Sequence, residues 1–412
     1  MKEKNICRCC RKKKLFNYLK LGNQPLANSY HKGEKLPSYP LDVNVCQNCF
    51  HSQLSVVIDK DSMFRNYLYV SGTTSTFRKH TKDLAKDAVK RIKKNKLRVL
   101  DIACNDGTQL EHFRDLGCEV MGVDPAENLR AITEEKKIPV VVDYWTEAVA
   151  RSINKKFDII TGTNVFAHVD NLDEFLKACK LALGENGVLI LEFPYANEMI
   201  QHNEFDTVYH EHLSYFLVNS FTTLVTRLEF QITDVIQTQI HGGSIRFFLK
   251  KGKGVHSQKI TQLIMEERDK GLLELNSYVL FAQRVSENKK NLRKLVTKLR
   301  RENKKVVGYG ASAKGNTMLN YFKIKLDYIV DDNPLKWGYK TPGRNILIKS
   351  PESLREEKKG LYVLVLSWNF YNEIAKKIIK IRGEGMKDVC IVYVPTVVEF
   401  KLNEKRGFAN SA

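Results

Sequence analysis

The sequence predicts two doubly wound α/β domains behind a small N-terminal module stapled by metal. Three observations predict it. Short apolar runs alternate with helical patterns from residue 97 to about residue 195. A second strand-loop-helix unit begins at Val306. Five of the nine cysteines fall in the first fifty residues. Alternating strands and helices favour a parallel sheet covered on both faces.

Composition sets the outer limits. The 412 residues are 43% hydrophobic and 28% charged, an ordinary globular mixture. At roughly 150 residues per domain the chain holds two or three domains. This excludes a disordered chain, a collagen and a simple coiled coil. No apolar run approaches the roughly 18 residues of a membrane helix. The start, MKEKNICRCC, lacks an apolar stretch, so no secretory signal is expected and a cytoplasmic location is. The 67 basic and 47 acidic residues give a net charge of +20, which favours anionic partners. The basic residues lie in short runs rather than one long arm, which weighs against nucleic acid.

Residues 1–70 are read as the zinc-binding module. Cys7 and Cys10 form one CxxC; Cys46 and Cys49 form another. Two such knuckles close a tetrahedral four-thiolate zinc site and leave no position for water, so the metal is structural. Cys9 is supernumerary. Neither CxxC sits in the βαβ context of a thioredoxin-type redox site.

Residues 71–250 form the first α/β domain. A lysine-rich amphipathic helix is expected over residues 80–95. Strands are expected at Leu97–Ile102, Glu119–Val123, Val140–Val142, Phe157–Thr161 and Gly187–Phe193. The segment Val99-Leu-Asp-Ile-Ala-Cys-Asn-Asp-Gly-Thr108 is a strand running into a loop of small residues before a helix. Such a loop lets backbone approach a ligand at the carboxyl end of a strand. It is not GxGxxG, since Ala103 stands where glycine is common. Asp124 ends the next strand, where a carboxylate can take both ribose hydroxyls. A generic nicotinamide-dinucleotide loop is the alternative. The pair DIACNDG and GVDP resembles motifs of class I S-adenosylmethionine methyltransferases. The resemblance implies that Asp101, Ala103, Asn105 and Gly107 line the cofactor. It further implies Asp124 on the ribose, Asp143 near the adenine and Asn164 facing the methyl donor.

The densest polar chemistry follows the sheet, in Phe205-Asp-Thr-Val-Tyr-His-Glu-His-Leu-Ser-Tyr215. A histidine titrating near neutrality suits a general base, and a tyrosine can donate to a developing oxyanion. A metal-binding HxH pair or a solvated polar loop are the alternatives. Next, His241-Gly-Gly-Ser-Ile-Arg246 places two glycines at a strand tip, where backbone can approach a ligand closely. A bare strand turn is the alternative there.

Residues 251–305 read as one or two connecting helices, rich in Leu, Glu, Lys and Arg. Residues 306–412 hold the second domain, with strands at Val306–Gly310, Asp327–Val330, Tyr362–Ser367 and Val389–Tyr393. Its loop, Val307-Gly-Tyr-Gly-Ala-Ser-Ala-Lys-Gly-Asn316, opens a helix with small residues, a serine and a lysine, which suits an anion. Asp331 ends the following strand like a ribose-binding residue. A fold relic without a ligand and a second cofactor site are the alternatives. The tail after Phe400 is polar.

Taken together, FDTVYHEHLSYF, IHGGSIRFF, GYGASAKGN, DDNPLKWG and SWNF resemble the nucleotide-sugar C-methyltransferases over residues 7 to 396. That family methylates carbon 3 of a nucleoside-diphosphate 4-keto-deoxyhexose in deoxysugar or surface-glycan biosynthesis. It joins a zinc module, a methyltransferase domain and a C-terminal Rossmann-like domain that assists substrate binding. The resemblance implies His212 as the base at carbon 3. It implies Tyr209 and Glu211 as residues that place the sugar and steady the enolate. It also implies an active-site tyrosine in Tyr67-Leu-Tyr-Val-Ser71, Tyr69 being chosen over Tyr67. His241, Gly243, Lys314, Asn316 and Asp331 are the expected substrate contacts. Two departures from the family pattern are Ala103 and the turn at Gly343-Arg-Asn-Ile346. The expected partner is a nucleotide sugar, with neither nucleic acid nor membrane, and the chain is expected to act as a monomer. The rival activities are methylation of an oxygen or nitrogen acceptor, or of nucleic acid. The latter lacks an NPPY-type loop at Thr163-Asn-Val-Phe-Ala-His168. A non-enzymatic zinc-dependent interaction protein would need neither a cofactor loop nor both tyrosine-rich segments.

Overall fold

The computed structural model describes residues 1–65, 67 and 70–402, with the backbone alone of His241. The chain divides into two compact units whose segments interleave. The first holds Met1–Asn17, Val43–Asn197 and Glu211–Leu275; the second holds Tyr18–Asp42, Glu198–His210 and Asn276–Ala412.

The first unit is built on a seven-stranded sheet. Its strands are β1 (Arg98–Ile102), β2 (Glu119–Val123), β3 (Val140–Val141), β4 (Phe157–Thr163), β5 (Leu183–Pro194), β6 (Phe230–Thr238) and β7 (Ser244–Lys251), in the order β6-β7-β5-β4-β1-β2-β3. β1 to β5 are parallel, and β7 runs antiparallel between β5 and β6. β1, β4 and β5 read as near-continuous apolar runs because helices cover both faces of a parallel sheet. Helix α1 (Ser75–Lys90) begins where the Thr74 hydroxyl accepts from the Phe77 amide. It turns Phe77, Thr81, Leu84, Ala85 and Ala88 inward at helical spacing. Leu84, Ala85 and Ala88 meet Val99, Leu110, Phe113, Ile159, Val188 and Ile190 in one core. Helix α2 (Thr108–Asp115) follows the β1 loop.

The zinc knuckles belong to this first unit. Cys46 ends the strand Tyr39–Cys46, which pairs through Val43–Val45 with Ser52–Leu54, and Ser214–Tyr215 adds a further strand. Two long strands, Leu15–Gln24 and Tyr39–Cys46, occupy a stretch whose sequence shows little periodicity. Each crosses from one unit to the other. Helix α3 (Val218–Arg227) and helix α4 (Gln258–Asp269) complete the unit.

The second unit carries the long helix α5 (Leu275–Arg301) from Asn276 onward. Its six-stranded sheet consists of β8 (Val306–Tyr309), β9 (Ile329–Val330), β10 (Ile348–Lys349), β11 (Tyr362–Val365), β12 (Val389–Val392) and β13 (Val398–Lys401), in the order β10-β9-β8-β11-β12-β13. All pairs are parallel except β12 with β13. Helix α6 (Ala313–Phe322) follows the second glycine-rich loop, with the Ser312 hydroxyl accepting from the Gly315 amide. Val307, Val330, Val363, Val365 and Ile378 fill a core of their own. Among the described residues, no helix is long and apolar enough to cross a membrane.

Candidate active site and metal centre

The Sγ atoms of Cys7, Cys10, Cys46 and Cys49 all lie within 4.8 Å of one another. The Cys7–Cys49 and Cys10–Cys46 pairs stand at 3.5 Å. A tetrahedron with Zn–S bonds of about 2.3 Å needs edges of roughly 3.8 Å, so the four sulfurs fit a zinc ion. Their crowding is costly without a cation. Hydrogen bonding to Cys46 pushes the Cys7 thiol up to about 12, and Cys49 is raised further. Thiols of Cys49 and Cys7 donating to Cys46 hold that group well below its ordinary value. The Asn48 amide also donates to the Cys46 sulfur at 3.4 Å, the outer support a thiolate ligand needs. Cys9 is buried outside this cluster, and its carbonyl accepts from Arg227 Nε at 3.0 Å.

The β1 loop is wound by alternating left-handed residues. Ala103, Asn105 and Gly107 have φ of 58°, 51° and 75°. A Cβ on Gly107 meets Ile138 Cδ1 at 2.7 Å, so the position accepts only glycine without a shift. The Asp124 carboxylate closes the loop from β2. It accepts from the Asn105 amide and from the Ala126 amide, both at 2.8 Å. Burial pushes its carboxyl above the ordinary range.

Asp101 is buried near the end of β1. Its Oδ1 accepts from Thr161 Oγ1 at 2.6 Å and Gln109 Nε2 at 2.9 Å, and burial lifts its carboxyl to about 7. It braces the strand ends under the loop. Asn164 follows β4 with φ 58°, and its amide donates to the Glu192 carbonyl. Its Oδ1 is buried without a hydrogen-bond partner among the described residues. That orphaned acceptor fits a cofactor that offers a donor such as an ammonium or a hydroxyl. Asp143 is half-buried beyond β3, and its Oδ1 accepts from the Tyr144 amide at 2.7 Å.

The YHEH segment is a turn, and the unit boundary falls between His210 and Glu211. In the first unit, the His212 ring packs against His168 at 5.0 Å and Tyr215 at 6.5 Å. Burial lowers His168 to about 4, so its imidazole is neutral. Phe64 stacks on the other partner, His168, at 5.7 Å. The Tyr67 hydroxyl stands 3.5 Å from Glu211 Oε2. Tyr69 lies outside the described residues. His168 was not singled out from sequence; its position four residues past Asn164 is a helical offset that places it near no obvious motif. In the second unit, His210 Nε2 donates to the Pro40 carbonyl at 3.2 Å and its ring meets Tyr39 edge-on. Tyr209 is half-buried. Beyond β6, Gly243 has φ 120° and its carbonyl accepts from the Tyr195 amide; His241 belongs to the short 3-10 turn before it.

The second glycine-rich loop is more fully engaged. Asp331 accepts from the Ala311 and Asn333 amides at 2.6 and 2.9 Å, and Lys336 Nζ stands 3.4 Å away. Asn316 is buried, donating to the Ala27 carbonyl at 2.8 Å. Asn316 Oδ1 is buried without a hydrogen-bond partner among the described residues. Lys314 lies 3.7 Å from Glu204 and 4.8 Å from the Trp368 ring centre. Burial raises Glu204 to about 7.

Three family models match in series: a zinc-binding domain over residues 7–64, a methyltransferase domain over 77–235 and a C-methyltransferase C-terminal domain over 239–395. The C-methyltransferase NovU of Streptomyces niveus is 31% identical over 383 residues, covering 89% of this chain and 90% of that one. A ubiquinone biosynthesis O-methyltransferase of Rhodopseudomonas palustris is 34% identical over 98 residues, 23% of this chain and 39% of its own length. Among solved structures, an S-adenosylmethionine-dependent methyltransferase from Clostridium acetobutylicum is similar at 17% identity, with a TM-score of 0.35, over 42% of this chain and 92% of that one. NovU matches from the zinc module to the second unit, whereas the O-methyltransferase matches a part alone. The chain belongs to the S-adenosylmethionine-dependent C-methyltransferases that carry a zinc-binding domain.

Proposed function

We propose that the acceptor is carbon 3 of a nucleoside-diphosphate 4-keto-deoxy sugar, deprotonated by His212. The observation that carries this reading is the packing of His212 against His168 and Tyr215, next in the chain to Glu211, which meets the Tyr67 hydroxyl. A methyl transfer to carbon needs a base beside an acidic C–H, which a transfer to oxygen of a phenol does not.

The ketone at carbon 4 acidifies its neighbour. His212 takes the proton from carbon 3, and the charge moves to the carbonyl oxygen. Tyr209, three residues earlier in the chain, donates to that oxygen. Glu211 orients the sugar, with Tyr67 or Tyr69 beside it. A positioned base supplies roughly 100- to 10,000-fold, and donors fixed in advance at the developing oxyanion supply more. Asn105, Gly107 and Asp124 hold the cofactor, with Asp101 bracing them from below, Asp143 toward the adenine and Asn164 toward the methyl group. S-Adenosylmethionine, when bound, supplies an electrophilic methyl group. Zinc serves the fold alone, because four thiolates complete its shell. Lys314 supplies a cation for the diphosphate, with His241 and Gly243 at the sugar.

The test is mass spectrometry of 4-keto nucleotide sugars incubated with enzyme and methyl donor. A gain of one methylene is expected. A gain on phenolic or amine acceptors, with none on any keto sugar, overturns the reading.

A further inference from the structure

The first unit contains a buried ion cluster that the proposed chemistry does not use. Glu192, near the end of β5, is 0% exposed. Its Oε1 accepts from His80 Nε2 at 2.6 Å and its Oε2 from Arg246 Nε at 2.7 Å. Arg246 is 5% exposed and stands directly opposite Glu192 on β7. His80 comes from the second turn of α1. Burial disfavours the Glu192 carboxylate, yet its partners hold it below the ordinary range, so it is ionised. Three separate stretches of chain are thus pinned at one carboxylate.

The position of α1 matters to the cofactor loop. The turn Ser71–Thr73 leads into this helix. The Ser71 amide donates to Asn105 Oδ1 at 2.9 Å, and the Gly72 amide donates to Asp106 Oδ2 at 3.1 Å. Arg78 Nε, on α1 itself, donates to the Gly72 carbonyl at 2.6 Å. A Cβ on Gly72 meets Thr108 Oγ1 at 2.3 Å and Asp106 Oδ2 at 2.4 Å, so the cover presses on the loop. A shift of α1 away from β5 therefore pulls at both loop side chains.

We infer that Glu192, with His80 and Arg246, is a positioning residue for the cofactor: it fixes α1 to β5 and so seats the Ser71–Thr73 cover on the Asn105–Asp106 loop. The inference rests on reading that loop as the cofactor's. The cluster touches no cofactor atom in this account and acts through the cover alone. Removing one partner leaves a buried charge uncompensated.

The test uses full-length, zinc-loaded enzyme and S-adenosylhomocysteine as the calorimetric probe. In His80→Gln and Glu192→Gln the affinity should fall roughly tenfold, as misplaced positioning groups cause. KM for S-adenosylmethionine should rise with it, while kcat at saturating cofactor stays within about twofold, which is the pattern of lost uniform binding. Amide exchange of residues 71–78 should quicken in the unliganded variants. Since Glu192→Gln risks misfolding, His80→Gln, at the cluster's edge, decides. A folded His80→Gln that binds the probe as the parent does overturns the inference, whatever its melting temperature. A drop in kcat with unchanged KM overturns it as well. Asp124→Ala separates the two readings. If it leaves probe affinity intact, the cofactor-loop reading fails, and the His80 result then bears on stability alone.

Discussion

Asp124 and Asp331 hold equivalent places in two glycine-containing loops, and their bonding is nearly superimposable. Each ends the strand after the loop. Each accepts from a loop amide, Asn105 in one case and Ala311 in the other, and from the amide two residues on. The difference lies above the carboxylate. Over Asp331, Lys336 Nζ and the Tyr30 hydroxyl both donate to the Ala311 carbonyl, at 2.8 and 2.5 Å. The chain's own side chains occupy the second loop. Around Asp124 the described partners are backbone amides. A carboxylate at a strand end is thus first a device for holding a loop. Whether it also serves a ligand depends on what covers it.

The largest expected effect breaks the scaffold on which the first loop depends. Cys46→Ser should lose zinc and most soluble protein, since four thiolates carry a module with a thin core. Metal analysis of the parent should give one zinc per chain. Full zinc retention in the variant contradicts the assignment.

The comparison itself is sharpened by paired substitutions. Asp124→Ala should weaken S-adenosylmethionine binding by roughly 1.5–3 kcal/mol for each charge-assisted hydrogen bond lost. Asp331→Ala should lower the melting temperature and leave cofactor affinity unchanged. Calorimetry that shows equal losses in both would mean that the second loop also holds the cofactor.

A smaller effect concerns buried carboxylates. Glu267 accepts from Tyr195 Oη at 2.8 Å and from the Asn219 amide at 3.0 Å, at the start of α3. Burial raises it to about 7 from an ordinary 4.5. The folded protein therefore holds a proton that the unfolded chain releases. That contribution is complete below about pH 4.5 and is lost as pH rises toward 7. Glu267→Gln removes this slope, so the variant should gain on the parent from pH 5 to pH 7.5, by about 3 kcal/mol at most. Melting curves across that range check it; parallel curves contradict it.

Much of this molecule was legible from its residues. The strands at Arg98–Ile102, Glu119–Val123 and Val389–Val392 stand within a residue or so of the expected runs, because parallel strands are apolar throughout. The cysteine spacing selected the four sulfurs that meet and left Cys9 out. What escaped reading depends on contacts distant in sequence. Tyr30 over Ala311 and the pairing of His80 with Glu192 span 281 and 112 residues. No local pattern announces such pairs. Asn316 and Asp331 were expected to face substrate because loops of their type often do. In the structure the Asn316 amide donates to the Ala27 carbonyl and the Asp331 carboxylate accepts from the Ala311 amide. The long strand Leu15–Gln24 escaped because polar and apolar residues mix along it.

The central claim is that His212 removes the proton from the carbon that is methylated. The most direct measurement is exchange of that substrate hydrogen with deuterated water, without methyl transfer, in the parent, His212→Asn and His210→Asn. His210 is committed to the Pro40 carbonyl, so its variant should exchange nearly as the parent does. His212→Asn should lose exchange by roughly the 100- to 10,000-fold a general base supplies. Exchange at the parent rate in a folded, cofactor-binding His212→Asn protein would place the base elsewhere, with Tyr209 the next residue to examine.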